Sequence, residues 1–160
     1  MTRTLTVVPA LVSVALLAAW LGAAAIVATS VAPSAFAVLP SRSLAGALVG
    51  RVLPVLFWSG ILVGVIAPWL ASHIPGNGAR TAAGVVLVGS CLLAQLVIAP
   101  RIERIRAAIG GPVDALDPTD PLRQSFGRLH GASVACLGVA GFAALCMLVL
   151  LIRSVSRSAP

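Results

Sequence analysis

Apolar residues fall in four long runs, at roughly 7–31, 52–70, 81–99 and 131–152, and the charged residues collect between them. No Asp, Glu, Lys, Arg or His interrupts any run. A helix rises about 1.5 Å per residue and a bilayer core is about 30 Å thick, so about 20 apolar residues are enough to cross it. Each run has that length. None carries the polar stripe of a helix on a water-soluble core, so each is apolar all round. The pattern predicts an all-α integral membrane four-helix bundle, a single domain over residues 1–160.

The segments between the runs refine this. The first connection, 32–51, carries Pro33, Pro40, Arg42 and Arg51, and its 43–50 portion is expected as a short helix lying in the interface. Ala35-Phe36-Ala37 has the form of a signal-peptidase site, but the preceding apolar stretch exceeds the roughly 7–15 residues of a secretory signal, so a retained helix is expected. The second connection, 71–80, holds the turn signal Pro75-Gly76-Asn77-Gly78 and must join antiparallel neighbours. In the third, 100–130, Ile102, Ile105 and Ile109 follow a helical spacing past the lipid, and Gly110-Gly111-Pro112 ends the helix. Asp120 as N-cap and Pro121 at the first helical position restart it. The last two helices are therefore expected to form a hairpin whose tips project from the membrane on one side.

Composition narrows the class. Charged residues make up 9% and hydrophobic ones 59%, against about 25% charged in a soluble domain. All eleven basic residues are Arg, and the chain is rich in Ala, Gly and Val. Both fit a GC-rich genome and hence a bacterial plasma membrane. The net charge of +7 is no nucleic-acid footprint, because the arginines flank apolar spans instead of forming a basic stripe. They act as topology signals and lipid-headgroup contacts. Arg42, Arg51, Arg101, Arg104, Arg106, Arg123 and Arg128 fall on one side, and Arg3, Arg80, Arg153 and Arg157 on the other. Seven against four places connections 32–51 and 100–130 in the cytoplasm.

Candidate chemistry is sparse. Cys91, Cys136 and Cys146 lack a CxxC spacing and read as small apolar residues. Ten residues separate Cys136 from Cys146, which turns them to different faces and weakens a soft-metal relay with Met147. No metal site is expected. Gln95, near mid-membrane, needs a partner, either another helix or a substrate. Trp58 and Trp69 suit interfacial anchoring, with Trp58 deep enough to pack internally. Gly60-x-x-x-Gly64 and the Gly131/Gly138 face would permit a homodimer. There is no intramembrane carboxylate for a proton relay, no phosphate loop and no hydrolase triad.

The densest grouping is Arg51, Arg101, Arg104, Arg128 and His130 at one end of the bundle. Three accounts stay open. The arginines contact headgroups while His130 bonds to a connection backbone; or arginines grip a phosphate or carboxylate; or His130 is an axial haem ligand with arginines on the propionates. His73 lies on the opposite face, so two histidines of one chain cannot share a haem.

The chain resembles the bacterial DUF4149 proteins and is similar to the animal transmembrane protein 205 group. The resemblance rests on Trp20-Leu21-Gly22, Pro33 with Phe36, Gly50-Arg51-Val52-Leu53-Pro54, Pro100-Arg101-Ile102 and Phe126-Gly127-Arg128-Leu129-His130-Gly131-Ala132-Ser133. One departure is Leu137, where relatives often carry Asn seven residues after the histidine. What the resemblance implies is a four-helix membrane domain of unassigned activity, distantly similar in architecture to families associated with copper handling and haem-pathway oxidation. The reading that follows is a non-enzymatic structural or interaction protein that binds a lipid headgroup, a small anion or a membrane partner. No cofactor is expected. The alternative is a haem- or metal-dependent membrane oxidoreductase or metal-tolerance protein.

Overall fold

The computed structural model describes the backbone of residues 2–74 and 76–157 and the side chains of 8–74 and 76–156. The side chains of Arg3 and Arg157, used in the topology count, and Pro75 of the turn signal lie outside these residues. Helix α1 (Thr2–Ile26) passes through a wide π turn (Val27–Val31) into α2 (Ala32–Val38), and α3 spans Arg42–Leu70. Helix α4 (Asn77–Leu92) passes through a second π turn (Leu93–Ile98) into α5 (Ala99–Ile109), and α6 spans Pro121–Arg157. Four continuous helical stretches result, each long and apolar enough to cross a membrane. The third runs from Asn77 to Ile109, 33 residues, or about 50 Å, roughly 20 Å more than the bilayer core requires.

The two π turns have one physical cause. Each precedes an Ala-Pro pair, Ala32-Pro33 and Ala99-Pro100. A proline has no N–H to donate and its ring collides with the carbonyl four residues back. Widening the turn by one residue relieves both: the Ala32 N–H bonds to the Val27 carbonyl and the Ala99 N–H to the Ala94 carbonyl. Pro33, assigned to the first connection by sequence, is thus absorbed, and the helix continues to Val38. Ala35, in the segment resembling a cleavage site, is buried there against Ala45 and Val49.

The expected separate interfacial helix at 43–50 does not form. Ser41 accepts a hydrogen bond from the Leu44 N–H (3.2 Å) and caps a helix that runs unbroken into the second span. At the third connection, Gly110 adopts φ 63° and closes α5, and Asp120 Oδ1 accepts from the N–H groups of Leu122 and Arg123 to start α6. Gly76, with φ 82°, opens α4.

Helices α1, α3, α4 and α6 pack in a ring, each against the next, around a core that includes Leu17, Trp20, Phe57, Leu87, Cys91 and Met147. The Gly60/Gly64 face, which by sequence would permit a homodimer, is occupied inside this ring. A methyl group at Gly60 would sit 2.8 Å from Cys91 Sγ and 2.9 Å from the Trp20 ring. One at Gly64 would sit 2.7 Å from Val88, and Gly84 lies directly against the Gly64 carbonyl. Close backbone approach is what small residues provide where lipid removes the hydrophobic drive between helices. Trp20 is the buried tryptophan, donating from Nε1 to the Leu56 carbonyl at 2.9 Å. Trp58, 48% exposed, and Trp69, 71% exposed, both face outward.

Arg80 is the largest fully buried side chain, at 1% exposure. It donates to the Ala71 carbonyl (3.3 Å), to the Ile74 carbonyl and to Ser154 Oγ (3.0 Å). This arginine is therefore an internal tie between the end of α3, the start of α4 and α6, not a headgroup contact. Ser13 Oγ adds a second tie at the same end, donating to the Ala67 carbonyl at 3.0 Å.

Candidate functional site

At the opposite end, α2, the first half of α3, the second π turn with α5, and the start of α6 leave a cleft of about 460 Å³. Its composition follows from helical spacing. On the third helix Gln95, Ala99, Ile102 and Arg106 stand at i, i+4, i+7 and i+11 and share one face. On α6 the corresponding series is Phe126, His130 and Ser133. Val49, Leu53, Pro54, Phe57 and Ala94 complete largely apolar walls.

Charge is confined to the rim, where Arg42, Glu103, Arg106 and Asp114 line the cleft. Their formal charges cancel. Arg106 Nη1 pairs with Glu103 Oε1 at 3.1 Å, and its Nη2 donates to the Gly46 carbonyl at 3.4 Å. Its guanidinium lies over the Phe126 ring, 5.6 Å from the centroid, within the range of a cation–π contact. Phe126 in turn stacks on His130, with centroids 6.3 Å apart and planes 4° from parallel. Gly46 and Gly50 leave the room the guanidinium occupies: a methyl at either would lie 3.7 or 3.5 Å from it.

Deeper in, within the apolar runs, the cleft is lined by Gln95 and Ser133. Ser133 is 8% exposed. Neither side chain, nor the imidazole of His130, makes a hydrogen bond with any described residue. The partner helix expected for Gln95 is thus not engaged; its amide faces the cleft.

Of the arginines grouped with His130 by sequence, Arg51, Arg101, Arg104 and Arg128 are exposed and none lines the cleft. Three of them neighbour a lining residue in sequence yet stand on another face: Arg51 follows Gly50, Arg101 precedes Ile102 and Arg104 follows Glu103, each a turn of about 100° away, while Arg128 lies between the lining Phe126 and His130. His130 does line the cleft. Arg42 and Arg106 are the arginines that join it there, and the signal that finds Arg106 is its helical register with Gln95. His73 lies beyond the far end of α3, about 25 Å from Leu53 by the rise of that helix. Cys91 and Cys136 are buried in the core, and among the described residues no group of three or more His, Cys, Asp or Glu side chains could hold a metal.

Outside the membrane, the turn before α6 is organised by Asp117. Its carboxyl is held below the usual range by the hydroxyl and then the N–H of Thr119, both donating to Oδ1. Arg123 bonds to the Leu116 carbonyl (2.6 Å) and fixes the same turn to α6.

No curated protein and no solved structure matches this chain. Residues 15–110 match the family model described as a domain of unknown function (DUF4149), a stretch that takes in three of the four spans together with most of the cleft wall. By that match, the chain is a multi-pass membrane protein that belongs to the DUF4149 family.

Proposed function

We propose that this protein is a non-enzymatic binding protein of the bacterial plasma membrane that holds the polar head of a lipid in the cleft between α3, α5 and α6. The single observation that carries this reading is the cleft itself: mostly apolar walls within the spans, with charged groups only at the rim. A free small anion is disfavoured in the cleft, because Arg42 and Arg106 are matched there by Glu103 and Asp114, and Arg106 is already paired with Glu103. Hydrocarbon suits the walls, and a head with hydrogen-bonding capacity suits the lining. Arg51, Arg101, Arg104 and Arg128 serve the surrounding headgroups and hold connections 32–51 and 100–130 at the cytoplasmic face. The burial of Arg80 supports that orientation, since it removes one arginine from the opposing count.

The test is lipid analysis of the protein purified in mild detergent, beside Ala47→Trp, which places a bulky ring at an exposed position of the cleft wall. A lipid enriched with the wild type and lost from a folded Ala47→Trp variant is the expected result. Equal lipid content in both would remove the cleft from consideration.

The second reading is a haem-dependent oxidoreductase, favoured by His130, whose imidazole lines the cleft without a hydrogen bond to any described residue. It would use a single histidine, because His73 is at the other end of the bundle. A Soret band in protein expressed with ample haem would establish it, and loss of that band in His130→Ala would assign the ligand.

A further inference from the structure

We infer that Gln95 and Ser133 at the inner end of the cleft, with the exposed His130 one turn nearer the rim, form a subsite for an uncharged, oxygen-bearing head carried on a hydrocarbon chain. The inference rests on the reading that the cleft takes an amphiphile, and it names the chemistry of the head.

The first observation is unused hydrogen-bonding capacity. Several helix hydroxyls in this protein bond back to their own helix, among them Ser13 to the Pro9 carbonyl, Thr29 to Ala25, Ser59 to Leu56 and Ser154 to Leu150. Ser133, although buried, does not. Gln95 brings two donors and an acceptor from the facing helix, and neither is used by a described residue. The imidazole of His130 adds a further ring N–H donor. Ser133 is buried, Gln95 half-buried and His130 exposed; polar groups without partners within a span are costly, and a bound head supplies the partners.

The second observation is backbone. The Ala99 N–H, which in an α-helix would serve the Gln95 carbonyl, goes to Ala94 instead. The next donor in a π turn would be residue 100, which is proline. Neither the α nor the π donor therefore reaches the Gln95 carbonyl, and a further acceptor stands at the same turn. π turns recur at functional sites for this kind of reason.

The third observation is charge. Gln95 and Ser133 carry no charge, and Arg106, on the same helix face as Gln95, is already engaged by Glu103 and Gly46. A phosphate brought below the rim would lose its hydration without a counter-ion. A carbonyl or hydroxyl would not. The shared chemistry belongs to the ester and hydroxyl head of a glyceride and to the carbonyl head of a quinone.

The experiment is equilibrium binding to the full chain in detergent micelles, with three probes: a diacylglycerol, a short-tailed benzoquinone and a phosphatidic acid bearing the same acyl chains as the diacylglycerol. Wild type is compared with Gln95→Leu, Ser133→Ala and the rim variant Arg42→Gln, each verified as folded by circular dichroism. At least one uncharged probe binds more tightly than phosphatidic acid, and which one identifies the source of the head. Gln95→Leu and Ser133→Ala each weaken that probe by about three- to tenfold, the range of one hydrogen bond, while Arg42→Gln leaves it within about twofold. Phosphatidic acid bound more tightly, with no response to Gln95→Leu or Ser133→Ala, overturns the subsite and leaves the amphiphile reading standing. No binding of any probe overturns both.

Discussion

Adding one methyl group at Gly84 tests the packing of the ring directly. The new carbon would stand 2.7 Å from the Gly64 carbonyl oxygen and 3.1 Å from the Pro68 ring, whereas ordinary contact begins near 3.4 Å. The obstacle is backbone on a neighbouring helix, so no rotamer change relieves it. Helices α3 and α4 must separate by about 0.7 Å, enough to forfeit a quarter to a half of the dispersion energy of each close atom pair at that contact. Overpacking of this kind costs about 1–3 kcal/mol. Replacing a helical glycine by alanine returns about 0.5–1 kcal/mol of backbone entropy, so the net loss is about 0–2.5 kcal/mol, and the gap to an alanine variant without the clash is the full overpacking cost of about 1–3 kcal/mol. Gly138 is the control: nothing lies within 4 Å of a methyl there, and Gly138→Ala should be neutral or slightly stabilising. Reversible unfolding in mixed micelles, followed by far-ultraviolet circular dichroism, resolves the difference. Equal stability of the two variants would refute the claim that Gly64 and Gly84 set the α3–α4 distance.

Two other outcomes are expected. Arg80→Ala should lower stability by about 2–4 kcal/mol in the same assay, because it strips charged-donor hydrogen bonds from the Ala71 and Ile74 carbonyls and from Ser154; Arg80→Lys should recover only part of that loss. For Asp117, the folded carboxyl titrates below its unfolded value, so its contribution is present above the ordinary carboxylate range and is lost as pH falls through the folded value. Amide exchange at Thr119 should accelerate on acidification, and Thr119→Val should move the onset to higher pH.

The four spans were legible because lipid imposes its length on the chain without regard to tertiary detail. The tip hairpin was legible for a local reason: Gly110 and Asp120 have no conformational alternative that serves as well. What the runs could not convey was which face of each helix met which neighbour. Gly60 and Gly64 read equally well as an outer seam or an inner one, and only the ring placed Trp20 and Cys91 against them. Arg80 looked like a topology signal because sequence carries its charge and not its burial. The arginines around His130 were grouped because topology puts them at one end of the bundle, whereas the cleft selects by azimuth. Arg106 was available from its register with Gln95, Ala99 and Ile102, and Arg42 only from the unbroken start of α3.

The second π turn also bears on how relatives should be aligned. A π turn encloses one residue more than an α turn, so a relative that keeps an ordinary helix there needs a one-residue gap between 93 and 98. Without that gap, every position downstream would be compared with a neighbour about 100° around the axis. The lining Arg106 would then be equated with an outward-facing residue, and the composition of the cleft in other members would be misread. Deleting a single residue from the turn poses the same question experimentally: it would leave the apolar length sufficient for crossing while swinging the tip of α5 away from Phe126.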